Sequence, residues 1–226
     1  MPVLAYILTA LAAYLLGSIP TGFLVAKAKG IDIRTVGSGN IGATNAMRVL
    51  GKPAGIFVLL ADAAKGWLAC FLGALIYMFY FNQFSGLHST TDNIPSPSQE
   101  GINHFILIAG IFAVLGHNYT CWLKFKGGKG IATTAGVYLA LAPWPLLFAL
   151  VVFVLAVALT RYMSVGSIAG AVALPICVWV MTPDNLLLGV VTTALGVLAI
   201  YKHKSNIQRL MAGTENRLGQ KPEAAK

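Results

Sequence analysis

Seven apolar runs, parted by short polar or proline-bearing breaks, leave this chain almost no choice but a membrane. They lie near residues 3–26, 54–81, 103–123, 130–142, 146–160, 164–181 and 186–202. The first three reach the roughly 17–25 residues that carry a helix across about 30 Å of hydrocarbon, and the last four are shorter. Breakers stand between them: Pro53 opens the second run, Pro143 and Pro145 part the fourth from the fifth, Arg161 ends the fifth, and Thr182-Pro183-Asp184 parts the last two. With 10% charged residues, the chain cannot surround itself with the roughly 25% charge of a soluble domain. The expected fold is an all-α integral membrane protein, a single bundle of seven transmembrane helices over residues 1–226. Five spans plus re-entrant segments are the alternative.

Lysine and arginine give the orientation. With the N-terminus outside, 15 of the 16 basic residues fall on inside segments, the exception being Lys65 within the second run. The positive-inside rule then places the C-terminus in the cytoplasm. Residues 82–102, rich in Ser, Thr and Pro, read as a flexible periplasmic loop, and 203–226 as a cytoplasmic tail. The first run lacks a basic n-region and is too long for a signal peptide, so it reads as a retained span. The fourth run rises only about 18 Å over residues 131–142 and reaches about 24 Å if Gly127 to Gly130 join it. The expectation is that the KGGKG backbone starts that helix at headgroup depth. Cys70, Cys121 and Cys177 have no paired spacing and read as packing residues. The formal charge of +9 sits beside apolar runs, which points to anionic lipid or substrate and not to nucleic acid.

Three polar cassettes fall on the inside: VGSGNIGATNAMR (36–48), GHNYTCWLKFKGGKG (116–130) and YKHKSNIQRLMAGTE (201–215). Each joins glycine, short hydrogen-bonding side chains and a cation, a mixture suited to phosphate. In the first, Gly37, Gly39 and Gly42 fit G-x-G-x-x-G, but no strand precedes them, so a dinucleotide fold is excluded. Their local use is close backbone approach, with Ser38, Asn40, Thr44 and Asn45 as hydrogen-bonding groups and Arg48 as charge. In the second, Lys126 and Lys129 bracket Gly127 and Gly128 ahead of Gly130. A Walker A loop is not met, because Gly130 follows Lys129. In the third, Lys202, Asn206 and Arg209 fall on one face of a continuing helix, with Glu215 placed to orient a basic partner. His117 and His203 stand near the cassettes and can move a proton. Ser164 and Ser167 open the sixth run as donors. Asp62 and Lys65 are spaced to pair inside the second run. His88 and Asp92 lie outside and carry no chemistry.

The segments GSIPTG (17–22), GSGNIGATN (37–45), GHN (116–118), FKGGKG (125–130) and KHKSNIQRLMAGTE (202–215) together resemble the acyl-phosphate-dependent glycerol-3-phosphate acyltransferases of bacteria, the PlsY family, in order and spacing. The resemblance covers the chain apart from 82–102 and the last few residues. It implies a multi-pass enzyme of the bacterial inner membrane with its site facing the cytoplasm. The reaction implied moves a fatty acyl group from acyl phosphate to the sn-1 hydroxyl of glycerol 3-phosphate, an early step of phospholipid biosynthesis. The products are lysophosphatidate and inorganic phosphate, with no acyl-CoA, cofactor or metal. A monomer is expected, with membrane lipids as neighbours.

On that reading the first two cassettes bind the acyl-phosphate headgroup, with Ser38, Asn40, Arg48, His117, Lys129 and His203 closest to the chemistry. Lys202, His203, Asn206 and Arg209 place glycerol 3-phosphate. The base is open between a histidine and the departing phosphate. No Ser-His-Asp arrangement supports an acyl-enzyme. An organophosphate transporter is the alternative, opposed by cassettes at one face and by the lack of an inverted repeat. A metal-assisted phospho-alcohol transferase would want acidic residues together, whereas Asp32, Glu215 and Glu223 are scattered.

Overall fold

The computed structural model describes residues 2–85 and 97–219. Among these all the regular structure is helical: α1 (Pro2–Ser18), α2 (Thr21–Lys27), α3 (Ala43–Leu50), α4 (Lys52–Ser85), α5 (Gln99–Asn118), a 3-10 turn (Cys121–Leu123), α6 (Ile131–Leu141), α7 (Pro143–Thr160), α8 (Met163–Met181), α9 (Leu186–Lys202) and α10 (Lys204–Met211). Every apolar run is a helix, yet among the described residues only five stretches are long and apolar enough to cross a membrane: Val3–Lys27, Lys52–Gln83, Gln99–Leu123, Pro143–Thr160 and Met163–Met181. The pair α9 and α10, bent by 53°, makes a sixth.

The fourth expected span, α6, has 11 residues and rises about 16 Å. It does not begin in the KGGKG segment as expected. Gly130, at a φ of 84°, ends the loop in the left-handed region, and before it the amides of Gly127 and Gly128 donate to the carbonyls of Asn118 (3.2 Å) and His117 (3.0 Å). Those bonds fold the loop back on the end of α5, so the glycines cannot join α6. Helices also take both ends of the expected loop 82–102. Ser98 caps α5 by accepting from the Gly101 amide at 3.0 Å, and residues 86–96, with His88 and Asp92, lie outside the described residues.

Close packing follows from small residues. A Cβ on Gly17 of α1 would stand 2.1 Å from the Ala113 carbonyl of α5, and one on Gly136 of α6 would stand 1.8 Å from the Ala63 carbonyl of α4. Pro20 breaks the first span between α1 and α2, freeing carbonyls that other elements take up. Lys65 of α4 donates to the Ile19 carbonyl at 2.9 Å, and Thr120 donates to that of Ser18 at 2.6 Å. The expected Asp62–Lys65 pair is present at 2.8 Å and buried, so Lys65 closes a helix break as well as an ion pair. The main core, which includes Leu107, Val137, Tyr138, Leu146, Leu174 and Leu195, joins α5 through α9. The three cysteines are unpaired.

Candidate active site

Asn45, in the first turn of α3, organises the first cassette. Its amide nitrogen lies within hydrogen-bonding distance of the carbonyls of Asn40 (2.9 Å), Val36 (3.1 Å) and Ile33 (3.2 Å). Its oxygen accepts the Ser38 amide at 2.8 Å. The side chain is therefore spent on the loop, and Asn45 shapes the site instead of offering it a donor. A Cβ on Gly37 would stand 2.2 Å from that same oxygen, and both Gly37 and Gly39 have positive φ. These two glycines permit the turn but do not line the cavity it borders. Ser38, Asn40, Gly42, Thr44 and Arg48 do line it. The Arg48 guanidinium makes no hydrogen bond or ion pair among the described residues, and burial lowers its pKa, opposed by nearby Glu215.

Glu215 organises the third cassette. It accepts from Arg209 at 2.7 Å, from Asn206 at 2.8 Å and from Ser164 at 3.2 Å. Asn206 presents its oxygen to the Lys129 ammonium, so the second cassette reaches the third through one amide. Burial pushes the Lys129 ammonium down to about 8, with Arg209 and Arg48 acting in the same sense and Glu215 opposing. Lys129, Gly130, Ser164, Ser167, His203, Asn206 and Glu215 all line the cavity, while Arg209 stands behind Glu215. Ser167 donates back to the Met163 carbonyl at 2.8 Å.

The continuing helix expected through residues 201–210 is broken at His203. Lys202, Asn206 and Arg209 therefore do not share one face. The Lys202 ammonium turns away, donating to the Asn118 carbonyl at 2.9 Å and lying 4.4 Å above the Tyr119 ring. Lys126 is exposed on the loop and also stands off the cavity, as do Gly127 and Gly128, whose amides are engaged by α5. At the break, the His203 ring Nδ1 lies 2.8 Å from the Ala199 carbonyl. A carbonyl only accepts, so Nδ1 carries the proton and Nε2 keeps a lone pair.

The cavity, about 140 Å³, sits at one end of the bundle and is also lined by His117 and Asp62. His117 is buried, its Nδ1 lies 3.7 Å from Asp62, and that nitrogen has no hydrogen-bond partner. A Cβ on Gly128 would stand 2.1 Å from its Nε2, so the glycine serves this ring and not a phosphate. Asp62, read from sequence only as a partner for Lys65, thus belongs to the lining, with Thr21 donating to it at 3.1 Å. Phe153, Met163 and Asn216 line it too. Phe153 and Met163 sit in or beside apolar runs that give no signal, and Asn216 is legible only as the neighbour of Glu215. Chemically, two unneutralised cations, Arg48 and Lys129, face one small polar cavity, which is the arrangement that binds phosphate.

The family model for glycerol-3-phosphate acyltransferase matches residues 7–213. The chain is 44% identical over 211 residues to a glycerol-3-phosphate acyltransferase of Geobacter sulfurreducens, covering 93% of this chain and 96% of the relative. It is 45% identical to one from Nostoc sp. over 214 residues, 93% of this chain and 91% of that one. The fold superposes on the crystal structure of PlsY, an integral membrane glycerol 3-phosphate acyltransferase, in its glycerol 3-phosphate form. The TM-score is 0.77 at 35% identity, covering 95% of this chain and 96% of the other. The lysophosphatidic acid form gives 0.73 at the same identity, covering 95% of both chains.

Proposed function

The chain belongs to the glycerol-3-phosphate acyltransferase family, and from that membership we propose that its acyl donor is a fatty acyl phosphate. On this reading the sn-1 oxygen of glycerol 3-phosphate attacks the acyl carbon, the bond from that carbon to the phosphate oxygen breaks, and lysophosphatidate and inorganic phosphate leave. One observation carries the proposal. The polar cavity continues into an apolar hollow between α6, α7, α8 and α9, sharing Ile131, Phe153 and Ser167 with it. A single ligand with a phosphate head and a hydrocarbon tail matches both parts.

Arg48 and Lys129, with Ser38 and Asn40, hold the donor phosphate and stabilise its charge as it departs. Asn206 orients Lys129, Arg209 holds Glu215 in place behind it, and glycerol 3-phosphate enters beside them, where proximity supplies much of the rate. The hydroxyl proton goes to His203 Nε2. Acyl phosphate is already activated, so the reaction as proposed draws on no metal or nucleotide. The basic residues at the cavity end support an orientation with the site toward the cytoplasm of a bacterial inner membrane.

The test is an assay of the purified protein with radiolabelled glycerol 3-phosphate, acyl phosphate or acyl-CoA, and no added metal. Lysophosphatidate and stoichiometric phosphate from acyl phosphate alone are expected. Product from acyl-CoA alone would overturn the donor assignment.

A further inference from the structure

The apolar hollow, about 60 Å³, has a built end. Along α8 its lining runs from Ser167, beside the polar cavity, to Leu174, about 10 Å of helix. Its walls there are small, with Ala149, Gly170 and Ala171 leaving the space open. Beyond it, the next turn along each of the four walls is buried. One turn past Thr134 in α6 stands Tyr138, and one turn past Leu174 in α8 stands Val178, both 0% exposed. One turn before Leu146 of α7 stands Ala142, and one turn before Thr192 of α9 stands Leu188, both 5% exposed. These four belong to one packed cluster. The layer is tied across the bundle: the Tyr138 hydroxyl donates to Thr192 at 2.5 Å, and Thr192 donates to the Leu188 carbonyl at 2.6 Å.

We propose that Tyr138, Ala142, Val178 and Leu188 form a stop that sets the longest acyl chain this enzyme transfers efficiently. The inference rests on the acyl-phosphate reading above. A tail short of the stop leaves apolar surface uncovered, and each buried methylene is worth roughly fourfold in binding. A tail too long must displace side chains already at interior packing density, so the gain reverses at the layer.

Gly170 permits a clean test, because a Cβ there meets only Phe153 Cβ at 3.5 Å and the Ala149 carbonyl at 3.6 Å. A Cβ at 170 therefore fits at ordinary contact distance, and a larger side chain extends into the hollow and shortens it. The experiment uses the full chain in lipid nanodiscs, which avoids detergent tails, and measures kcat/KM for acyl phosphates of increasing length. Gly170→Leu is expected to lower the ratio of long-chain to short-chain kcat/KM at least about tenfold, with Gly170→Ala intermediate. Leu174→Ala, which removes bulk just beneath the stop, is expected to raise it. If Leu174→Ala fails to fold, the graded pair at 170 decides alone. An active wild type whose length profile is unmoved by the Gly170 variants would overturn the stop while leaving the donor assignment intact. A wild type inactive with acyl phosphates of every length would overturn both.

Discussion

Lys129 donates to the side-chain oxygen of Asn206, across 77 residues of sequence, and Asn206 uses its other end to donate to Glu215. One neutral amide therefore stands between an ammonium and a carboxylate. Glu215 is satisfied by Arg209, Asn206 and Ser164, while the charge of Lys129 is oriented but not neutralised. That difference lets the ammonium meet a phosphate.

Asn206→Asp is expected to damage the enzyme more than Asn206→Ala. The alanine loses hydrogen bonds to two charged groups, worth about 1.5–3 kcal/mol each, and kcat/KM should fall about 10–100-fold. The aspartate also puts a negative charge against Lys129 and Glu215, so KM for glycerol 3-phosphate should rise further. Steady-state kinetics of the two variants check the order.

The pH profile follows from Lys129, held at about 8 against an ordinary value of 10.5. The ammonium is charged below that value and lost above it, so kcat/KM, which reports the free enzyme, should fall as pH rises through about 8. Lys129→Arg should remove the inflection, since guanidinium stays charged. Stability moves the other way. Between the folded and ordinary values the unfolded chain binds more protons, so Lys129 contributes a stability that rises with pH across about 8 to 10.5. Melting temperature and kcat/KM measured over that window should diverge.

The sequence announced both the helices and the convergence of the cassettes, because apolar runs and glycine-rich polar breaks are local signals. It did not announce the break at His203, where Lys202-His203-Lys204 carries no Gly or Pro and where Lys202 instead meets the end of α5. The fate of the glycine amides at 127 and 128 was equally hidden, since their partners are carbonyls of another helix. Asp62 shows the same limit. Its spacing to Lys65 reveals the pair, but which face of α4 borders the cavity depends on packing with α5 and α6. The apolar hollow belongs to four helices at once and has no signature in any one of them.

Asp62→Ala should destabilise the protein by about 3–5 kcal/mol, because it strands the Lys65 ammonium, 5% exposed, without its carboxylate. Asp62→Ala with Lys65→Met should recover part of that loss, though not the bond to the Ile19 carbonyl. Thermal unfolding of wild type and the two variants gives the comparison. A double variant less stable than Asp62→Ala would show that closing the α1–α2 break matters more than pairing the charge.

The two histidines of the cavity should separate by kinetics. His203 donates through Nδ1 to the Ala199 carbonyl, 2.8 Å away, which orients a proton-free Nε2 on a residue that lines the cavity. His117 packs its Nε2 against Gly128 and keeps its Nδ1 beside Asp62 at 3.7 Å, an arrangement of support. His203→Gln should lower kcat by about 10²-fold or more, the usual scale for loss of a general base. His117→Gln should lower the melting temperature and change kcat less than about tenfold, under 1.4 kcal/mol of barrier. If both variants stay within that tenfold, the proton goes elsewhere, and the departing phosphate, whose second pKa is roughly 6–7, is the acceptor in reach.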